Sequence, residues 1–221
     1  MKLARTRACV ILVAALLATS GIAAAQRRNV NFELLDAARS GSLTRVQQYL
    51  EQGANPDSRN RLGDTPLNIA ARNGNLEMAK LLLARGADTN LQNLAKVSPL
   101  MSAAFNGHTA VLELLLTNRA DLSLTDGIHK TAMIYAAGNG RTECVRVLLN
   151  AGADVNQRYA GDTTALMWAA GYGRAETVQL LLERGADVTH RDDRGKSALT
   201  IAIEEKHTEV AELLRAKGAK E

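Results

Sequence analysis

Cysteine and aromatic residues are scarce in this chain, and each scarcity closes off a class of protein. Only two cysteines occur in 221 residues. Cys9 falls inside an N-terminal segment read below as a removable signal, which leaves Cys144 alone. No disulfide can then form within the mature monomer, so stability must come from packing. Aromatics make up 3% of the chain. The formal net charge is +4, from 27 Lys and Arg against 23 Asp and Glu. Lys2, Arg5 and Arg7 are the only charged residues of 1–25, so removing that segment lowers 27 to 24 against an unchanged 23. A near-neutral, aromatic-poor mature chain lacks the electrostatic footprint of a nucleic-acid binder.

Long apolar runs are also missing after residue 25. An uncharged, largely apolar stretch of 18 residues runs from Ala8 to Ala25. It follows a basic start and ends in Ala23-Ala24-Ala25, the small-x-small pattern of a signal-peptidase site, so residues 1–25 are expected to be a signal peptide cut between Ala25 and Gln26. The alternative is an uncleaved anchor, for which the run is near the lower length limit and rich in Ala, Gly, Ser and Thr. Cys9 precedes the apolar core, so it is not placed as a lipid acceptor. An Ala-rich signal of this kind resembles bacterial ones. The expected location is periplasmic or secreted, with no membrane association of the mature form.

What is present is a repeat. Thr65, Ser98, Thr131, Thr164 and Ser197 each open the same phrase, 33 residues apart: Thr65-Pro66-Leu67, Ser98-Pro99-Leu100, Thr131-Ala132-Met133, Thr164-Ala165-Leu166, Ser197-Ala198-Leu199. A fixed period of this length signals stacked supersecondary units that work through an extended surface. The Ser and Thr hydroxyls suit helix N-caps, and Pro66 and Pro99 suit the first helical position. Gly74, Gly107, Gly140 and Gly173 suit the reversal after a first helix. A second helix follows with apolar residues at i, i+3 and i+4: Met78, Leu81, Leu82; Val111, Leu114, Leu115; Cys144, Val147, Leu148; Val178, Leu181, Leu182; Val210, Leu213, Leu214. Ala pairs such as Ala70-Ala71 and Ala103-Ala104 allow neighbouring units to approach closely. The outer units are more polar, with Arg45 and Gln48 in the first and Arg215 in the last, as terminal caps require.

The period, the Thr-Pro-Leu opening, the mid-repeat Gly and the closing Gly-Ala-Asp (Gly86 to Asp88, Gly152 to Asp154, Gly185 to Asp187) resemble the ankyrin repeat. The resemblance covers residues 31–221. It implies an all-α solenoid of about six helix-turn-helix units with β-hairpin-like fingers, at about 31–59, 60–92, 93–125, 126–158, 159–191 and 192–221, with 26–30 as a short linker. Several positions depart from the pattern. Asn68, Met101, Ile134, Met167 and Thr200 stand where the family usually has His, so a hydrogen-bond ladder through that His is not expected. Arg119 replaces a turn Gly, requiring either a left-handed Arg or a different bend. Lys96, His129 and Asp162 replace the finger Gly seen at Gly63 and Gly195, so looser or reshaped middle fingers are expected.

No catalytic motif fits its context. Gly138-Asn139-Gly140 and Gly171-Tyr172-Gly173 fall at helix reversals rather than after strands. His129 and His190 lie too far apart for one ion, and Asp121-x-Ser123-x-Thr125 lacks the final acidic ligand of a calcium loop. Cys144 reads as a small hydrophobe and Trp168 as packing. Neither cofactor nor metal is expected. In ankyrin-like proteins the fingers and first helices line one concave face. Carried over by position, that face gives Arg61, Leu62, Asp64 and Arg72, then Leu94, Val97, Phe105 and Asn106, then Ile128, Lys130 and Asn139, then Arg158 and Tyr172, and finally Arg194. Its apolar members are flanked by charge, as protein-binding patches are. The expected function is a monomeric, non-enzymatic module that docks on, shields or inhibits an exported protein. The alternatives are a secreted effector, or a ligand-binding or hydrolytic protein with a site grafted onto the array.

Overall fold

The computed structural model describes residues 29–220, so the proposed signal segment lies outside the described residues. Twelve α-helices make up the described chain, with no strands. They are α1 (29–39), α2 (Leu43–Glu51), α3 (Pro66–Asn73), α4 (Leu76–Ala84), α5 (Pro99–Asn106) and α6 (Thr109–Thr117), followed by α7 (Ala132–Gly138), α8 (Thr142–Asn150), α9 (Ala165–Gly171), α10 (Ala175–Glu183), α11 (Ala198–Glu204) and α12 (Thr208–Ala216). Helix α1 already includes residues 29 and 30, placed by the sequence in a linker, and Val30 is buried.

The odd-numbered helices from α3 to α11 pack in one row, and the even-numbered ones from α2 to α12 pack in a second. Each first helix from α3 onward starts on a Ser or Thr whose hydroxyl accepts the amide three residues on: Asn68, Met101, Ile134, Met167 and Thr200. Pro66 and Pro99 sit where a missing N–H costs nothing. The paired alanines at 70–71, 103–104, 136–137 and 169–170 are fully buried between neighbouring units. In the second helices, residues i and i+4 are buried and i+3 is half-buried. In α10 the 33-residue register selects Thr177, Leu180 and Leu181, all buried, one residue ahead of the set the sequence pattern suggested. A Thr is tolerated there because its hydroxyl shares a hydrogen bond with Thr142 Oγ1 at 3.0 Å. Cys144 is buried as a hydrophobe, and burial pushes its thiol pKa up.

Units are also stitched by polar side chains at the start of four second helices, α6, α8, α10 and α12. His108 Nε2 lies 3.1 Å from Arg72 O, and Arg141 Nε donates to Phe105 O at 3.1 Å. Arg174 Nε donates to Gly138 O at 3.0 Å, and His207 Nε2 lies 3.2 Å from Gly171 O. Each closes the exposed end of the preceding unit's first helix, where carbonyls lack intrahelical partners. Asn68 also bridges units, Nδ2 donating to Val97 O at 3.4 Å, so the position expected to carry no ladder keeps one link.

The fingers are hairpin-like without becoming strands; the single β-bridge among described residues joins Arg191 and Ser197. Four of them are built on one Asx residue each. Asn60 Oδ1 accepts the amides of Leu62 and Asp64, and Asn93 Oδ1 those of Ala95 and Val97. Asp126 and Asp192 repeat this two and four residues on. Lys96 and His129 keep the left-handed backbone of Gly63 and Gly195, with φ of 58° and 63°, so these two fingers are not reshaped as expected. Asx caps hold the turn that Gly would otherwise ease. Arg119 likewise adopts a left-handed φ of 63°. The fifth finger does differ. Tyr159 occupies the Asx position and cannot cap amides, and a 3-10 turn over Ala160–Asp162 replaces the loop.

Candidate functional site

Five first helices in one row, each followed around the stack by a finger, leave a groove between helices and fingers. Its floor is set by the residues in register with Ser102: Tyr135, Trp168 and Ile201. In the fourth and fifth units those positions are aromatic, so the groove gains a dense aromatic centre. The Phe105 and Tyr135 rings meet edge to face at 5.6 Å between centroids and 77°. Trp168 and Tyr172 stack at 6.1 Å and 16°. The two pairs are joined by Lys130, whose Nζ lies 4.4 Å from the Trp168 ring centroid and 5.8 Å from that of Tyr135. Such placement over ring faces is attractive for a cation.

Three hollows run consecutively along this groove and share their walls. A hollow of about 290 Å³ lies between Arg72 and Tyr135, with Phe105 as its far wall. One of about 120 Å³ follows between Phe105 and Tyr172, floored by Gly138. A third, about 430 Å³, extends from Trp168 and Tyr172 to Arg194 and Glu205. The second is smaller than ordinary ligand pockets, and the row as a whole suits an extended chain.

Hydrogen bonding fixes the polar members. Asp64 is buried and takes Arg72 Nη2 at 2.8 Å and Asn93 Nδ2 at 2.8 Å. Asp126 spends one oxygen on its finger amides and the other on the Tyr135 hydroxyl. Burial, then that carboxylate, raise the Tyr135 pKa and keep the phenol protonated. Arg194 forks onto one oxygen of Asp192, through Nε at 3.0 Å and Nη2 at 2.7 Å.

The structure brings most of the expected contact residues to this face but gives them unequal parts. Phe105, Lys130, Tyr172, Arg72 and Arg194 line the hollows. Val97 is half-buried against the core and offers one edge. Leu62, Leu94 and Ile128 crown the finger tips, 65%, 75% and 65% exposed, beside exposed Arg61. Asn106 and Asn139 line hollows, but each turns its amide back to its own helix, on Ser102 O and Tyr135 O. Asp64 is not a surface acid at all, because its finger buries it beneath Arg72. Arg158 is not brought to the groove; it lines a separate cleft of about 540 Å³ with Met133, Leu148 and Tyr159. Trp168 was read as packing, yet it walls two of the hollows, and Tyr135 was missed. The signal for both was the register itself, since 69, 102, 135, 168 and 201 are one position seen five times.

Comparison with known families supports this architecture across the repeats. A family model described as ankyrin repeats (3 copies) matches residues 34–126, 85–159, 121–192 and 159–221. No curated protein matches the chain.

Proposed function

The chain belongs to the ankyrin-repeat family, whose arrays are generic protein–protein interaction modules and are typically non-catalytic, and we propose that it docks a partner protein in its aromatic groove. The observation that carries the reading is the unbroken row of three hollows from Arg72 to Arg194, with shared aromatic walls and charged ends. Aromatic residues concentrated at a polar-rimmed centre are the composition of binding hot spots. The exposed Leu62, Leu94 and Ile128 extend that apolar surface onto the finger tips. An exported partner fits the signal pattern of residues 1–25, and the array is proposed to act as a binding module without a reaction of its own.

The test is affinity capture from an extract of the source organism with the full chain, against a Leu94→Asp, Phe105→Ala double variant of matched thermal stability. Phe105 is 46% exposed, so its truncation removes groove wall rather than core. A protein retained by the parent and lost by the variant supports docking at this face. Equal retention by both moves the docking surface elsewhere and overturns the reading.

A further inference from the structure

Lys130 shares its register position with one other lysine, Lys196, but lacks the acid that Lys196 has eight residues on, and the difference shows what the partner must bring. The positions in register are Asp64, Val97, Lys130, Thr163 and Lys196, and eight residues beyond each stand Arg72, Phe105, Gly138, Gly171 and Glu204. In the second unit this pair is an ion pair, Asp64 with Arg72 at 2.8 Å. In the sixth it is again an ion pair, Lys196 with Glu204. The third unit makes the pair apolar, with Val97 and Phe105, and the fifth makes it small, with Thr163 and Gly171. Only the fourth places a cation at the first position and nothing at the second.

Lys130 has no carboxylate partner among the described residues. Asp126, the acid of its own finger, is consumed by two amides and the Tyr135 hydroxyl. Lys130 is half-buried as a residue, and its ammonium group lies over the two ring faces. Below it is the hollow of about 120 Å³ floored by Gly138, room for one side chain. That hollow is where Glu204 sits in the equivalent pair of the sixth unit.

We propose that the groove, read as a docking site, takes an extended acidic segment of a protein, with one Asp or Glu side chain entering over Gly138 to pair with Lys130. The inference rests on the docking reading and adds the chemistry of the anchor. Charge complementarity selects the residue: a half-buried cation without a counter-charge gains most from a carboxylate, and aromatic walls that exclude water strengthen the pair. The hollows on either side, walled by Phe105 and by Trp168 with Tyr172, take the apolar neighbours of that acid. Side chains alternate along an extended backbone, so the residues two before and two after the acid are the neighbours that face the same side.

The site carries its own reporter, because Trp168 is the only Trp of the chain. The probes are two matched sets of Trp-free apolar heptapeptides, one with a central Glu and one with a central Gln, titrated against the full chain at low ionic strength. Trp168 emission is expected to report binding of the Glu set roughly tenfold tighter than the Gln set, a preference that weakens with added salt. Lys130→Met is expected to abolish the preference. Gly138→Glu is expected to abolish it as well, by supplying the carboxylate from within as Glu204 does. The nearest atoms to a Cβ at 138 are those of the Tyr172 ring at 3.4 and 3.5 Å and Trp168 at 3.8 Å, so that variant is expected to fold. Equal binding of the two sets, or a preference that survives Lys130→Met, overturns the carboxylate anchor while docking stands. No response to either set overturns it too, and the capture experiment then decides separately whether docking falls with it.

Discussion

Asp64 keeps its charge where burial alone would push a carboxyl towards the neutral form. Burial raises its pKa, but hydrogen bonds from Arg72 and Asn93, the Arg72 charge and a bond from Asn60 outweigh it and hold the pKa below the usual carboxylate value. A folded value below the unfolded one of about 3.9 means the stabilisation is complete above that pH and is lost as pH falls through the folded value. Asp192 follows the same logic: burial opposes ionisation, and the Lys196 amide with Arg194 reverses it. Asp64→Asn is therefore expected to be less stable than the parent at pH 7, with the gap closing below about pH 4. Urea denaturation between pH 3 and pH 7 measures it. A gap that stays constant across that range would remove the charge of Asp64 from the account and leave only its geometry.

At the scale of the element, the reversal between first and second helices is where one unit grips the next. Gly74 has φ of 70° and Gly86 has φ of 83°, so both sit where a side chain is strained. They differ in surroundings. A Cβ on Gly74 would lie 2.5 Å from the His108 ring, while one on Gly86 meets nothing within 4 Å. Gly86→Ala is expected to cost about 1 kcal/mol from backbone strain alone. Gly74→Ala is expected to cost roughly 2 kcal/mol or more, since the His108 bridge to Arg72 O must also shift. A double variant with His108→Ala should recover the difference, and thermal unfolding of the four proteins reads that coupling. Equal costs for the two glycines would show that the stitch contributes nothing. Helix starts were plain in the sequence because Thr65 and its equivalents cap by chemistry local to three residues. The stitch was not, because the shared position is split between two residue types, His108 and His207 against Arg141 and Arg174, and the acceptors lie 36 residues back in the chain. The groove was half legible for a similar reason: Phe105 and Tyr172 follow from exposure of a helix end, whereas Tyr135 and Trp168 gain their place from rings contributed by neighbouring units.

Over the whole molecule, the fingers form a second line of connection beside the helices, and that line has one gap. Leu94 N donates to Leu62 O, Gly127 N to Ala95 O, and Asp193 N to Gly161 O, each at 3.0 or 3.1 Å. The matching bond from Ala160 N to Ile128 O is absent, because Tyr159 has replaced the Asx that would hold the fifth finger in shape. Helices α7 and α9 still pack across the junction, so the stack is continuous below and interrupted above. In an array each unit touches only its neighbours, and local opening concentrates where the neighbour term is weakest. Among the finger junctions described, the fourth-to-fifth is that place. It also borders the groove's centre, since Lys130 and Thr163 rise from the two fingers concerned onto Trp168, the latter accepting Trp168 Nε1 at 3.1 Å. Native-state hydrogen exchange is expected to show the Ala160 amide exchanging at least about tenfold faster than those of Gly127 and Asp193. Tyr159→Asn, which returns the capping side chain of Asn60 and Asn93, is expected to slow Ala160 towards its counterparts. Uniform protection across all these amides would show that the helix row alone sets the stability of the fingers.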